Sequence, residues 1–206
     1  MQVSKLATVI FDLGGVYFTD GTISAIEIIS NKYTLDPKSV ADIFKGEIGT
    51  AYRESRITHD QFWESAKAAW RVNGENIDEL AQIWLDGYVP IEGTVKIVEQ
   101  LKRSGHELLF LSDNVQERVD YLEARYGFLQ NFADGVFSHI AGVRKPNPQI
   151  YRMVLQKAGN SPENCIYIDD KKVLLEPAKK IGMQTVHFTN SENLLKTLQG
   201  YGVLNG

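Results

Sequence analysis

The sequence predicts an α/β fold, a doubly wound parallel sheet with a small α-helical domain inserted after its first strand. Three observations predict it. After residue 90, short apolar runs alternate with longer helical patterns, the rhythm of βαβ units around a parallel sheet. A long helical stretch, about 22 to 90, separates the first apolar run from the second. Finally, the runs end on polar residues. Asp12 follows the first, Ser112 and Asp113 the second, and Asp169 and Asp170 the fourth, with Lys145 shortly after the third. In a parallel α/β sheet, ligands bind outside the carboxyl ends of the strands, so these groups fall along one functional edge.

In chain order, the first expected strand is "ATVIF" (7–11). The helical insertion follows, and "ITHDQFWESAKAAW" shows its character. Thr58 and Gln61 have capping-box spacing, and Phe62, Ala66, Ala69 and Trp70 recur at helical intervals, as expected of a packed core stripe. Thr94 is expected to cap the next helix, with Val95, Val98 and Leu101 on one face and Gly105 as its stop. The remaining strands are expected at "ELLFL" (107–111), "GVFSHI" (135–140), "CIYI" (165–168) and "QTVHF" (184–188). Asn147 and Pro148 read as N-cap and first position of the helix "NPQIYRMVLQKAG". The division this implies is a core of 1–16 and 91–206 and a helical domain of 17–90.

Composition excludes several classes of function. A chain of 206 residues with 43% hydrophobic and 23% charged residues suits an ordinary globular core. Its net charge of −4 gives no electrostatic reason to expect nucleic acid or an anionic membrane as partner. No apolar run approaches the ~18 residues of a membrane span. Asp12 interrupts the only early apolar segment, so a secretory signal is not expected. Cys165 is the single cysteine; it sits in the apolar run "NCIYIDD" and is expected to be a buried, inert thiol. A reducing, cytoplasmic location fits. His59, His106, His139 and His187 show no metal-ligand spacing and are expected to be structural. Oligomeric state and substrate identity are not legible.

The polar edge has a chemical logic. Several carboxylates beside one lysine do not all ionise comfortably without a cation. Mg²⁺ suits such a site, because it prefers hard oxygen ligands and bridges to phosphate. A carboxylate can also act as a nucleophile, dividing phosphoester hydrolysis into formation and breakdown of an aspartyl-phosphate. Each residue alone reads more plainly: Asp12 as a turn cap, Ser112 as a turn or N-cap residue, Lys145 as a surface lysine, and Asp169–Asp170 as first-turn acids. It is their joint order that carries the functional reading.

Four segments, "VIFDLGGV", "LFLSDN", "GVRKPNPQIY" and "IYIDD", resemble in order the four motifs of the haloacid dehalogenase (HAD) superfamily, and "EPAKKIGMQTVHF" resembles its usual ending. The likeness is to the sugar-phosphatase and epoxide-hydrolase N-domain type, which carries a helical cap just after the first motif. The resemblance implies a Rossmann-like core and a Mg²⁺-dependent phosphohydrolase acting on a small phosphorylated metabolite. It implies that Asp12 is the nucleophile and a metal ligand, and that Gly14 offers its carbonyl to Mg²⁺. Ser112 would bind the phosphoryl group, with Asp113 and Asn114 beside it at the substrate. Lys145 would neutralise nucleophile and phosphoryl oxygens. Asp170 would be the direct acidic ligand of the metal and Asp169 a water-mediated one.

Three departures from the family pattern stand out. Residue 14 is glycine where phosphatases usually carry an acid/base aspartate, and such proton transfer is typically worth ~10²–10⁴-fold. Asp113 stands where asparagine is common; its charge is unfavourable near phosphate unless the side chain turns away. Lys171, Lys172 and Leu174 replace small residues and an asparagine, and the two lysines are expected to be solvated. Two alternative functions therefore stand beside the first. One is a binding or regulatory protein that has lost turnover. The other is a metal-free 2-haloacid dehalogenase, which Gly14 permits but the acidic pair 169–170 disfavours.

Overall fold

The computed structural model describes residues 7–72, 74 and 76–205; residues 1–6 of the expected core lie outside that range. Five parallel strands form one sheet: β1 (Thr8–Phe11), β2 (Glu107–Ser112), β3 (Asp134–Phe137), β4 (Cys165–Asp169) and β5 (Gln184–His187), in the order β3-β2-β1-β4-β5. Between β1 and β2 run α1 (Gly21–Tyr33), α2 (Pro37–Lys45), α3 (Glu47–Arg53), α4 (His59–Trp70), α5 (Ile77–Asp86) and α6 (Glu92–Arg103). Helix α7 (Gln116–Tyr126) joins β2 to β3. Helices α8 (Ser138–Ala141) and α9 (Pro148–Lys157) lead to β4, α10 (Lys172–Lys180) leads to β5, and α11 (Ser191–Gly200) follows.

The strands are legible because both sheet faces are covered. In β1, Val9 and Phe11 pack into one apolar cluster and Ile10 into the other; in β4, Ile166 and Ile168 join the first and Tyr167 the second. Every residue is thus buried, and the run reads as continuously apolar rather than alternating. Ile97, Val98 and Leu101 of α6, with Leu194 and Leu198 of α11, cover one face. Ile150, Tyr151 and Val154 of α9, with Leu175 and Ala178 of α10, cover the other. Each such side chain contributes roughly 1.5–3 kcal/mol of burial. The chain builds outward from β1 through β2 to β3, then returns to the opposite side of β1 for β4 and β5. The β1/β4 boundary is therefore the topological switch point, where such sheets open a ligand crevice.

Two expectations about local structure need correction. "GVFSHI" is a strand only as far as Phe137, because Ser112, its partner, is the last residue of β2. Beyond it the chain turns into α8, and Ser138 Oγ instead accepts the Asn114 N–H at 2.9 Å and donates to the Arg53 carbonyl at 2.7 Å. Thr94 is not a cap. The helix starts earlier, at Glu92, with Ile91 preceding it, and Thr94 is buried with Oγ1 3.0 Å from Ser191 Oγ of α11. The other signals hold. Thr58 and Gln61 form a reciprocal capping box, and the Asn147 side chain accepts from Gln149 N–H with Pro148 at the first helical position. The helix before Gly105 ends at Arg103 with Ser104 as its C-cap, and Gly105 takes φ of 81°, where a side chain is strained.

The helices between β1 and β2 bring together an aromatic group that is continuous with the apolar cluster on one face of the sheet. Phe44, Phe62, Trp63 and Trp84 are buried, and Tyr52 stacks on Phe62 at 4.5 Å. Of the expected stripe, Phe62, Ala66 and Trp70 are buried, as is the neighbouring Trp63, whereas Ala69 is exposed. The entering and leaving chains of the insertion are tied together: Thr19 N–H donates to the Val89 carbonyl at 2.9 Å and Ile91 N–H to the Tyr17 carbonyl at 2.8 Å. Among the described residues, no helix is long and apolar enough to cross a membrane.

Candidate active site

Asp12 follows the last residue of β1, and its N–H extends the sheet by donating to the Ile168 carbonyl of β4 at 2.9 Å. This sets its carboxylate at the switch point, 5% exposed. Oδ1 accepts the Leu13 N–H at 2.7 Å, and Oδ2 lies 3.0 Å from Lys145 Nζ. Lys145 comes from the loop before α9, yet it is 2% exposed. Its ammonium also donates to Asp169 Oδ2 at 2.9 Å and to the Tyr167 hydroxyl at 3.1 Å.

One lysine thus serves two buried acids, and the acids are unequal. Burial favours the neutral form of Asp169, but the Lys145 charge overrides it, helped by hydrogen bonds from Tyr167, Lys145 and the Lys171 N–H, and holds the carboxyl below its ordinary range. For Asp12 burial prevails over Lys145, and the nearby Asp169 adds to the effect, so its carboxyl is pushed up to about 8. Burial opposes the Lys145 charge, but Asp12 and Asp169 together keep its ammonium well above the usual lysine range.

Asp12, Gly14, Ser112, Asp113, Asn114, Lys145 and Asp170 line one cavity of about 310 Å³. Asp169 lies behind it, fully buried and engaged on both oxygens. Asp170 is different: it faces the cavity, and its Oδ1 is buried without a hydrogen-bond partner, 3.6 Å from Lys171 Nζ. Burial raises its carboxyl, with Lys171 opposing. Ligand oxygens of Asp12, Asp169 and Asp170 all lie within 4.8 Å of one another. This set of hard oxygen donors, with one orphaned oxygen, fits Mg²⁺.

Asp113 and Asn114 line the cavity but turn their side chains to structural work. Asp113 Oδ1 accepts the Lys145 N–H at 3.0 Å and Oδ2 pairs with Arg144 Nε at 3.0 Å. Asn114 Oδ1 accepts from Arg118 Nε at 2.6 Å and from Val115 N–H at 3.0 Å. Lys171, expected to be solvated, has a half-exposed side chain at the cavity wall, 3.7 Å from Asp20 and 3.6 Å from Asp170. It is exposed as expected, and its ammonium also pairs with these two acids.

The sequence reading missed Arg53, Tyr88, Arg118 and Arg144, which also line the cavity. Only Arg144 carried a signal, as the neighbour of Lys145. The four histidines take structural roles: His106 Nδ1 accepts the Ala7 N–H and His187 Nε2 lies 3.0 Å from the Asp170 carbonyl, while His59 pairs with Glu117 and His139 with Gln116. Cys165 is buried, and burial pushes its thiol up.

The family model for haloacid dehalogenase-like hydrolases matches residues 6–182, and the chain belongs to that family of hydrolases. It is 24% identical to sesquiterpene phosphatase astK of Aspergillus oryzae, over 88% of this chain and 89% of that one. Among solved structures it resembles a HAD-family enzyme of Bacteroides thetaiotaomicron in complex with magnesium and inorganic phosphate (TM-score 0.69, 17% identity, 90% and 96% of the two chains). It also resembles L-2-haloacid dehalogenase of Xanthobacter autotrophicus (TM-score 0.66, 17% identity, 95% and 83%).

Proposed function

We propose that this chain is a Mg²⁺-dependent phosphomonoester hydrolase acting on a small phosphorylated metabolite through an aspartyl-phosphate on Asp12. The observation that carries the reading is the Asp12–Lys145 pair at the carboxyl end of β1, opening on a cavity that also receives Ser112 and the open oxygen of Asp170. The phosphatase relative and the neighbour holding magnesium and phosphate support it.

In this scheme an Asp12 oxygen attacks phosphorus, a P–O bond to the carboxylate forms, and the ester P–O bond breaks with its electron pair leaving on the alcohol oxygen. Water then attacks the same phosphorus, returning Asp12 and releasing inorganic phosphate. The Lys145 ammonium offsets charge on Asp12 and on the phosphoryl oxygens, and the Ser112 hydroxyl donates to one of those oxygens. Asp12, Asp170 and the Gly14 carbonyl would hold Mg²⁺ directly and Asp169 through water; the ion supplies further charge compensation to the phosphoryl group. Residues 17–90 serve as a cap that shields the site from water and selects the substrate. Gly14 has no side chain to protonate the departing alcohol, so that proton comes from solvent and the rate depends steeply on the leaving group.

The test is Asp12→Asn, assayed with 4-nitrophenyl phosphate and Mg²⁺. Hydrolysis is expected to fall below detection while the circular dichroism spectrum is unchanged. Activity surviving in a purified variant removes Asp12 as nucleophile. Gly14 and the likeness to L-2-haloacid dehalogenase favour a second reading, halide displacement by Asp12. Chloride release from 2-chloropropionate without added metal would establish it. Tight Mg²⁺ and phosphate-analogue binding with no turnover across a phosphate panel would instead point to a regulatory binding protein.

A further inference from the structure

The cavity wall contains two buried arginines with no carboxylate to match them. Arg53 closes α3 and is 7% exposed; its Nη1 donates to the carbonyls of Phe44 (2.8 Å) and Gly49 (3.0 Å). Arg118 of α7 is 2% exposed and lies over the rings of Trp84 and Tyr88, 4.5 Å from each centre. It donates to Asn114 Oδ1, to the Tyr88 hydroxyl at 2.8 Å and to the Asp113 carbonyl at 3.2 Å. Every one of these acceptors is neutral. Of the three cavity arginines, only Arg144 has a carboxylate partner among the described residues.

Burying a charge without a counter-charge is strongly unfavourable. Here two charges without an ion-pair partner sit near each other: burial above all, then the charges of Arg118 and Arg144, outweighs the opposing Tyr88 and Asp113 and lowers the Arg53 guanidinium to about 10. An anion entering the cavity relieves both costs. A guanidinium offers a planar fork of donors that matches carboxylate and phosphate oxygens. Lys145, Ser112 and the acidic set already account for the transferring phosphoryl group, so the arginines are left over for another part of the substrate. Phe44 and Tyr88 line the cavity beside them, and its volume of about 310 Å³ is at the small end for a ligand pocket, which suits a short organic portion.

We propose that the substrate bears a second anionic group, a carboxylate or a second phosphate, received by Arg53 and Arg118 in the same cavity as Asp12. This rests on the reading of Asp12, Ser112 and Lys145 as the phosphoryl end. The substrate class is then a short phosphomonoester that is anionic at both ends.

Calorimetry with three phosphonates that cannot be turned over tests it: 3-phosphonopropionate, propane-1,3-diphosphonate and the singly headed propylphosphonate, each in Mg²⁺ buffer. At least one doubly anionic compound is expected to bind wild type about tenfold or more tighter than propylphosphonate, and the preferred one identifies carboxylate or phosphate. In Arg53→Met or Arg118→Met the advantage is expected to shrink to about twofold or less. Equal affinity of all three for wild type overturns the second anion site and leaves the phosphatase reading standing. An advantage that persists in both folded variants overturns the assignment to these arginines. Absence of binding by any of the three, with no aryl phosphate hydrolysis, overturns both readings together. If neither variant folds, the wild-type comparison decides.

Discussion

Asp113 accepts the backbone N–H of Lys145 on Oδ1 while pairing with Arg144 through Oδ2, each at 3.0 Å. A residue that looked like an unwelcome charge beside the phosphate is therefore the tie between the end of β2 and the loop that delivers the lysine. Asp113→Ala leaves that N–H without its acceptor and Arg144 without its carboxylate, with Thr50 Oγ1 still accepting from Arg144. It is expected to cost ~1–3 kcal/mol in urea unfolding and to lower aryl phosphatase kcat about tenfold. Asp113→Asn keeps an acceptor and is expected to lose less of both. An alanine variant equal to wild type in both measurements would count against the tie.

Lys145→Met removes the ammonium that pairs with both Asp12 and Asp169 and leaves two buried carboxylates without it. A loss of ~3–5 kcal/mol is expected. The loss carries a sign with pH. Without the ammonium both carboxyls titrate higher in the folded variant than in the folded wild type, so the folded variant binds more protons. Relative stability then falls as pH rises through the carboxylate range, and the deficit against wild type should be larger at pH 8 than at pH 5. Urea titrations of both proteins at the two pH values measure it, and a pH-independent deficit contradicts the arrangement.

Gly14 has room for a side chain: a Cβ built there meets only Tyr88 Cε1, at 3.5 Å. Gly14→Asp is expected to restore a proton donor and to raise kcat on an alkyl phosphate such as glycerol phosphate by ~10²-fold or more. On 4-nitrophenyl phosphate, whose leaving group needs little protonation, the change should be small. Equal effects on the two substrates would show that leaving-group protonation is not what limits the wild type.

Gly15 has no such room. Its φ is 89°, and a Cβ would lie 2.8 Å from Asp170 Cγ and Oδ2. Gly15→Ala is expected to displace Asp170, weakening Mg²⁺ binding in calorimetry and costing ~1–3 kcal/mol of stability. Unchanged Mg²⁺ affinity in this variant would remove Asp170 from the metal site.

Much of the core could be read from the sequence because its signals are local. Strands covered on both faces, such as Thr8–Phe11 and Cys165–Asp169, appear as unbroken apolar runs whatever their neighbours are. A polar residue just past such a run is carried to the ligand edge by the parallel topology alone, which is why Asp12, Ser112 and Asp170 could be placed together. The capping box at Thr58 and the Asn147–Pro148 start were equally local.

What failed depended on partners distant in the chain. Thr94 looked like a cap, but packing against Ser191 buries it inside α6. Ser138 leaves the strand because β2 has no residue left to pair with, and because Arg53 and Asn114 offer its hydroxyl other partners. The basic wall was the largest omission. In "QERVDYLEARY" Arg118 is indistinguishable from a surface arginine, and Arg53 simply closes a short helix.

The sequence by itself determined the parallel α/β sheet and the polar edge at the carboxyl ends of its strands, since hydrophobic period and the alternation of strand and helix are written locally. Only the tertiary structure decided which oxygen of that edge stays open, where Asp113 turns, and which arginines face the cavity. Those outcomes depend on what packs against each side chain. Trp84 from the insertion lies over Arg118 of the core, and no pattern within either segment encodes that meeting.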